Sequence, residues 1–201
     1  LDCGFSIKDT VRRLERLNLQ PEQLSAVLVT HEHDDHASGA FKLATRFQLP
    51  VWLTYGTYSM CQRYLPEQAV DIRVIDAHTN FSIADIEVLP YPVPHDAREP
   101  AQYVFSDGIH KLGVLTDTGS VTPHIIEVLQ KCHGLLLECN HDLEMLQKGP
   151  YSHALKKRVG GRLGHLDNQT SAQLLQQLDN SQLKHLVAAH LSEKNNHPDL
   201  V

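Results

Sequence analysis

The sequence predicts an α/β fold of mixed sheets, with helices outside and ligand-type side chains at the strand ends. Three observations carry that prediction. Short β-branched runs alternate with helical periodicities in the first and last thirds of the chain. In the middle, four strand-like runs succeed one another without a helix between them. Finally, 14 histidines in 201 residues are an excess, and several stand directly after apolar runs. No low-complexity stretch, fixed-period repeat or Pro/Gly/Ser linker interrupts the chain, so residues 1–201 are expected to form a single domain.

Residues 26–30, AVLVT, have the composition of a buried strand, and residues 38–48 place Phe41, Leu43, Ala44 and Phe47 at helical spacing. Residues 51–54 read as a strand and 57–65 as a helix. Residues 72–75, 83–91, 101–106 and 111–116 are the four consecutive strands, with Asp107-Gly108 as the turn of a hairpin between the last two. Strands joined without helices imply antiparallel or mixed pairing there. The helix-strand rhythm then returns, with a helix over 121–132, a strand over 134–138, a helix over 168–178 and a strand over 183–188.

Bulk properties exclude several classes. At 41% hydrophobic and 21% charged residues the chain can bury a core, and no apolar run is long enough to span a bilayer. Leu1-Asp2-Cys3-Gly4 lacks the basic-then-apolar order of a signal peptide, so no membrane partner is expected and the cytoplasm is the expected compartment. The spacing of Cys3, Cys61, Cys132 and Cys139 fits neither a zinc ribbon nor a disulfide framework, and the four are expected to be reduced thiols. The net charge of −6 argues against a protein that coats nucleic acid by bulk electrostatics. Residues 148–165 depart from that average: Lys148, Lys156, Lys157, Arg158 and Arg162 stand there without an acidic residue. Such a segment is either a solvated helix face or a landing strip for phosphates.

The strongest signal is Thr30-His31-Glu32-His33-Asp34-Asp35-His36, directly after the first strand. In a loop leaving a strand, His31 and His33 can point into one cavity, while Asp35 and His36 enter the next helix and offer an oxygen and a nitrogen nearby. Four ligand-type side chains in six residues crowd a single ion. They suit two ions, one acidifying a water and both clamping the oxygens of a displacement.

This HxHxDH motif resembles that of the metallo-β-lactamase-fold hydrolases, and the resemblance implies a four-layer αβ/βα sandwich. It also implies further ligands at later strand ends. His95 in VPHDA would complete the first metal site with His31 and His33. Asp117 in TDTG would bridge both ions, and His190 in AHLS would complete the second site with Asp35, His36 and Asp117. The implied cofactor is a pair of divalent ions, Zn²⁺ first and Mn²⁺ second, because the ligands are nitrogens and carboxylates without a thiolate. His165 in GHLDN resembles the histidine with which ribonuclease Z-like phosphodiesterases protonate the leaving oxygen, and Glu138 in LECNHD stands where an acidic residue would orient it. Asp35, His165 and Glu138 are therefore the expected catalytic residues. Asp2 is expected either to hold a ligand histidine from behind or to be a turn residue. His141 is left open between such a supporting place and the core. The set LDCG, THEHDDH, TDTG, LECNHD, GHLDN and HLSEKNN resembles the YycJ/WalJ-type branch and covers nearly the whole chain. That pattern begins earlier and ends later, so the sequence is expected to be trimmed at both termini.

The implied activity is a dinuclear metal phosphodiesterase, a 5′-to-3′ exonuclease on single-stranded DNA or RNA, acting as a monomer or homodimer. Lys156, Lys157, Arg158 and Arg162 are expected to grip the nucleic-acid backbone, with Asn168 and Ser192 touching substrate. Asn195 and Asn196 are expected to cap the segment after His190, the alternative being contact with a substrate phosphate. Alternatives are a small-substrate hydrolase, either a cyclic phosphodiesterase or a glyoxalase II-like thioesterase, and a metal-binding scaffold without activity. The remaining histidines, including His78, His110, His124, His133, His153, His185 and His197, are expected at the surface or in caps.

Overall fold

A computed structural model describes all 201 residues and divides them into two compact units. The first comprises Leu1–Asp85 with Ala97–Ala101, the second Ile86–Asp96 with Gln102–Val201. No helix is long and apolar enough to cross a membrane.

In the first unit, helix α1 (Ile7–Glu15) starts at the N-cap Ser6, whose side chain accepts from Asp9 N, and it buries no residue. Strand β1 (Val27–Leu28) is followed by the one-turn helix α2 (Asp34–Ala37) and by α3 (Ala40–Phe47). Strands β2 (Val51–Thr54) and β3 (Ile72–Ile75) complete a three-stranded parallel sheet of order β1-β2-β3, with Val27 opposite Val51 and Val51 opposite Ile72. Between β2 and β3 the expected helix over 57–65 splits. Helix α4 (Tyr55–Met60) starts early at the N-cap Thr54, and a 3₁₀ turn over Cys61–Tyr64 finishes it. A core of Val27, Val29, Phe41, Leu43, Val51, Leu53 and Cys61 lies under α3, on the apolar face its sequence spacing marked.

The strand expected over 83–91 is interrupted. Ala84 takes φ +52, and the chain turns there between β4 (Phe81–Ile83) and β5 (Ile86–Pro92). The turn's one marker is Asp85, and a single Asp between apolar neighbours also fits the polar face of an alternating strand, which is why the run reads as continuous. In the second unit β5, β6 (Ala101–Ser106), β7 (Lys111–Leu115), β8 (Gly134–Glu138) and β9 (His185–Ala189) lie side by side in that order. β6 and β7 are antiparallel across the Asp107-Gly108 turn, while β7, β8 and β9 are parallel, so the sheet is mixed. Helix α5 (Pro123–Val128) is shorter than the expected 121–132. It opens with Pro123 in its first turn behind the N-cap Thr122, and the chain leaves helical geometry before Lys131 at φ +57.

Helix α6 (Leu143–Lys148), like α1, was not foreseen, and α7 (His153–Val159) lies in the basic segment for which a helix face was one reading; α6 and α7 are each started by a side-chain cap, Asp142 and Ser152 respectively. Helix α8 (Asn168–Gln177) is capped by Asp167, which accepts from Gln169 N and Thr170 N. Tyr91, Leu115, Ile125, Leu129, Leu135, Leu166 and Leu174 fill the core of this unit. All four cysteines are buried free thiols.

Candidate metal centre

Each unit carries its own cluster of ligand-type side chains at the ends of its strands. In the first unit the chain leaves β1 through Thr30 and His31, both almost fully buried, and enters α2 with His33 as N-cap. Asp2 organises this turn. Its Oδ1 accepts from Thr30 N at 2.8 Å, and its Oδ2 faces Thr30 Oγ1 and His36 Nδ1, each at 3.0 Å. With the Thr30 hydroxyl donating to Asp2, that hydroxyl oxygen is left to accept from His31 Nδ1 at 2.9 Å. Both imidazoles therefore carry their proton on Nδ1 and direct an Nε2 lone pair away from Asp2, the tautomer a metal ligand needs. His31 lies between the other two rings, 4.5 Å from His33 and 4.2 Å from His36, with His31 Nε2 2.9 Å from His33 Nδ1. Asp35 is exposed, with Oδ2 3.5 Å from His36 Nε2. Gly4 is required where the N-terminal segment crosses α2, since a Cβ there would lie 2.0 Å from Asp35 O.

In the second unit Asp117, Glu138, His165 and His190 bring ligand-type atoms within 4.8 Å of one another. Glu138, fully buried at the end of β8, is the hub. Its Oε1 accepts from His165 Nδ1 at 2.9 Å and His190 Nδ1 at 2.7 Å, and its Oε2 from Thr118 N and Leu166 N, both at 3.1 Å. Burial pushes this carboxyl upward, but the hydrogen bonds and charges of His165 and His190 outweigh it and hold it down to about 2. The hub is thus an anion that sets the tautomer of two imidazoles at once. His190 Nε2 stands 3.5 Å from Asp117 Oδ1. Both Asp117 and His190 are left-handed, at φ +53 and +57, a geometry that costs about 1–2 kcal/mol for an L residue and concentrates at functional sites. Asn140 Nδ2 donates to His190 O at 3.0 Å and holds that backbone.

His95, buried after β5, points its Nδ1 at Gly164 O at 3.1 Å, and its Nε2 lies 4.0 Å from Asp117 Oδ1. Burial pushes its pKa below the usual value against the opposing pull of Asp117, which favours a neutral ring. The loops after β5 and β7 and before α8 meet here without spare room. Gly119 N donates to Pro94 O at 2.8 Å, and a Cβ on Gly119 would lie 2.3 Å from Gly164 N.

The donors suit a divalent transition metal: imidazole nitrogens of set tautomer with carboxylates beside them, and no thiolate in either cluster. Within each unit the expected ligands come together, and Glu138 lies against His165 as the resemblance implied. Asp2 bonds to His36 rather than serving as a plain turn residue. Sequence reasoning missed the second hold of Glu138, on His190, and the supporting parts played by Thr30, Asn140 and Ser171, whose Oγ donates to Glu138 O at 2.5 Å. LECNHD contained Asn140, but nothing in its spacing marked which group its amide would meet.

The expected substrate contacts divide. Lys157 and Arg162 are exposed, whereas Lys156 Nζ donates to Gln147 O at 2.6 Å and Arg158 is paired with Asp96, beside His95. Asn168 and Asn196 exchange amide hydrogen bonds at 2.9 Å, and Asn196 also donates to Cys139 O at 2.7 Å, so both tie the end of β8 to α8. Ser192 Oγ accepts from Asn195 N at 3.2 Å. His141 is buried, and its Nδ1 lies 3.3 Å from Asn140 Oδ1.

Known proteins are similar to this chain over most of its length. The model of the beta-lactamase superfamily domain matches residues 1–190. The exodeoxyribonuclease YycJ of Bacillus anthracis is 34% identical over 201 residues, covering 100% of this chain and 76% of its own length. The exodeoxyribonuclease WalJ of Streptococcus pneumoniae serotype 2 is 32% identical over 203 residues with the same coverage, 100% and 76%. Among solved structures, the metallo-β-lactamase-fold protein YhfI of Bacillus subtilis superposes with a TM-score of 0.75 at 18% identity, over 99% of this chain and 76% of that one.

Proposed function

Since the chain belongs to the beta-lactamase superfamily, in its YycJ/WalJ-type branch, we propose that it is a metal-dependent phosphodiesterase that removes nucleotides from the 5′ end of single-stranded DNA or RNA. The observation that carries the reading is the Glu138–His165 pair, 2.9 Å apart beside Asp117 and His190. An alkoxide leaving group needs a proton, and a thiolate does not, so an oriented histidine favours phosphate ester chemistry over thioester chemistry.

In this reading residues 1–201 work as one hydrolase domain. The proposed ligands of the two divalent ions are His31, His33, Asp35 and His36 of the first unit and His95, Asp117 and His190 of the second, with Zn²⁺ before Mn²⁺. When bound, the ions supply Lewis acidity, acidifying water and neutralising charge on the phosphoryl oxygens. The chain's own residues do the rest. His165 acts as the imidazolium: Glu138 accepts from its Nδ1–H and faces its charge with a carboxylate, and the second proton, on Nε2, passes to the leaving oxygen. Through its second bond Glu138 keeps His190 in the ligand tautomer, and Asp2 does the same for His36. Lys157 and Arg162, with Lys156, attract the phosphate backbone by charge. The free cysteines accord with a reducing cytoplasm. A small phosphodiester substrate is the second reading, favoured by the commitment of Arg158 to Asp96.

The test is hydrolysis of a 5′-phosphorylated, end-labelled single-stranded oligonucleotide with Zn²⁺ or Mn²⁺, with chelator, and by the Asp35→Ala variant. Metal-dependent release of mononucleotides, lost in the variant, is the expected result. Protein shown to carry two metals that leaves DNA and RNA uncut overturns the nuclease reading in favour of a small phosphodiester or a thioester.

A further inference from the structure

The parallel strands β7, β8 and β9 carry chemistry at both ends. Asp117, Glu138 and His190 stand at their C-terminal ends. At their N-terminal ends stand Lys111, His133 with Gly134, and Lys184 with His185, brought level by the register Leu112–Gly134–His185. Six residues of extended chain separate Lys111 from Asp117, about 20 Å, so this end is distinct from the metal cluster. A cavity of about 530 Å³ opens here, lined among others by Phe105, His110, Lys111, His133, Lys184 and His185.

We propose that this cavity is a binding site for a nucleoside monophosphate, the phosphate held by the His133, Lys184 and His185 edge and the base laid against Phe105 and Leu112. Backbone bonds of His133 lace the three strand starts together. Its N–H donates to Lys111 O at 2.7 Å, and its O accepts from Lys184 N at 2.8 Å and His185 N at 3.1 Å. Its ring is set as well: Nδ1 accepts from Lys111 N at 3.0 Å, which leaves Nε2 as an N–H donor. The one carboxylate in the lining, Asp107, is turned into the hairpin, where it accepts from Ile109 N, His110 N and His110 Nδ1. Lys111 Nζ rests on a neutral carbonyl, Gln130 O, at 2.9 Å. The lining is therefore cationic in a chain of net charge −6, and its two ammonium groups suit an anion rather than a metal ion. Phe105 and Leu112 face each other across β6 and β7, and Leu112 is 39% exposed, which gives a base an apolar surface to stack on. The volume lies in the range of small-ligand sites.

Binding here is independent of the proposed nuclease activity, and it is tested on protein stripped of metal by chelator, so that phosphate is not captured by an ion. Calorimetric titration with 5′-AMP should show saturable one-site binding, with adenosine and inorganic phosphate each weaker. The exposed double substitution Lys184→Ala/His185→Ala, verified as folded by circular dichroism, should weaken 5′-AMP binding about tenfold, the loss of one charge-assisted hydrogen bond. No saturable binding, equal binding by the variant, or inorganic phosphate binding as tightly as 5′-AMP overturns the proposal.

Discussion

Replacing Glu138 with Gln changes one atom at the most connected side chain of the second unit, and the hydrogen bonds around that side chain set the outcome. The carboxylate accepts four of them, two on each oxygen, from His165, His190, Thr118 N and Leu166 N. An amide supplies one acceptor oxygen and one NH₂, so in either orientation two donors confront a third. If NH₂ takes the Oε2 place, Thr118 N and Leu166 N lose their acceptor with no alternative, because backbone amides cannot change their proton. If it takes the Oε1 place, His165 and His190 must move their protons to Nε2 to accept from it, and His190 then lacks the lone pair a metal requires. The second outcome strains less. Each broken buried bond costs about 1–3 kcal/mol, and relief of the buried charge offsets part of the sum, so the metal-free variant should lose ~2–4 kcal/mol.

The functional consequence is separable. Loss of an orienting partner typically weakens metal binding ~10–100-fold, and an amide that donates to His165 Nδ1 excludes the imidazolium that gives up its proton, which should lower kcat at saturating metal about 100-fold or more. Urea unfolding of the chelated protein, zinc competition titration and oligonucleotide hydrolysis read the three effects. A Glu138→Gln protein with the stability, metal affinity and kcat of the parent would refute the hub. A Glu138→Gln protein that loses stability alone would reduce Glu138 to a core residue.

Two further perturbations test the supports. Asp2→Ala removes the acceptor of Thr30 N, Thr30 Oγ1 and His36 Nδ1 together. It should destabilise the protein by about 2–3 kcal/mol and weaken zinc binding ~10–100-fold in competition titration; unchanged zinc affinity would show that His36 does not depend on it. Gly119→Ala places a Cβ 2.3 Å from Gly164 N and 2.5 Å from Gly161 O, backbone atoms that cannot swing aside. The urea midpoint should fall by an equivalent of roughly 1–3 kcal/mol, and a midpoint equal to the parent's would mean that the two loops part easily.

Which parts of the fold were legible depends on where each signal is stored. Strands β2, β3, β6 and β8 have the residues their runs marked, because short β-rich runs bounded by turn residues write their limits in composition, in the half-exposed β3 as in the buried β6. Helix α1 was passed over although Ile7, Val11 and Leu14 stand at helical spacing: three apolar residues in a run of nine, none of them fully buried, make a short stripe, and the Ser6 cap is its one further support. The short helices α6 and α7 depend likewise on single caps, and a cap is one residue in a motif too common to count alone. Of the proposed ligands, His31, His33, Asp35 and His36 were legible because HxHxDH is dense and local, while His95, Asp117 and His190 came only from the family resemblance. Their supports were not, because Asp2 reaches His36 across 34 residues and Glu138 reaches His190 across 52. Each carboxylate fixes a tautomer through a contact that no local pattern encodes. A ligand set can be read from a line of text, but the proton on the far side of each ring is decided by the fold.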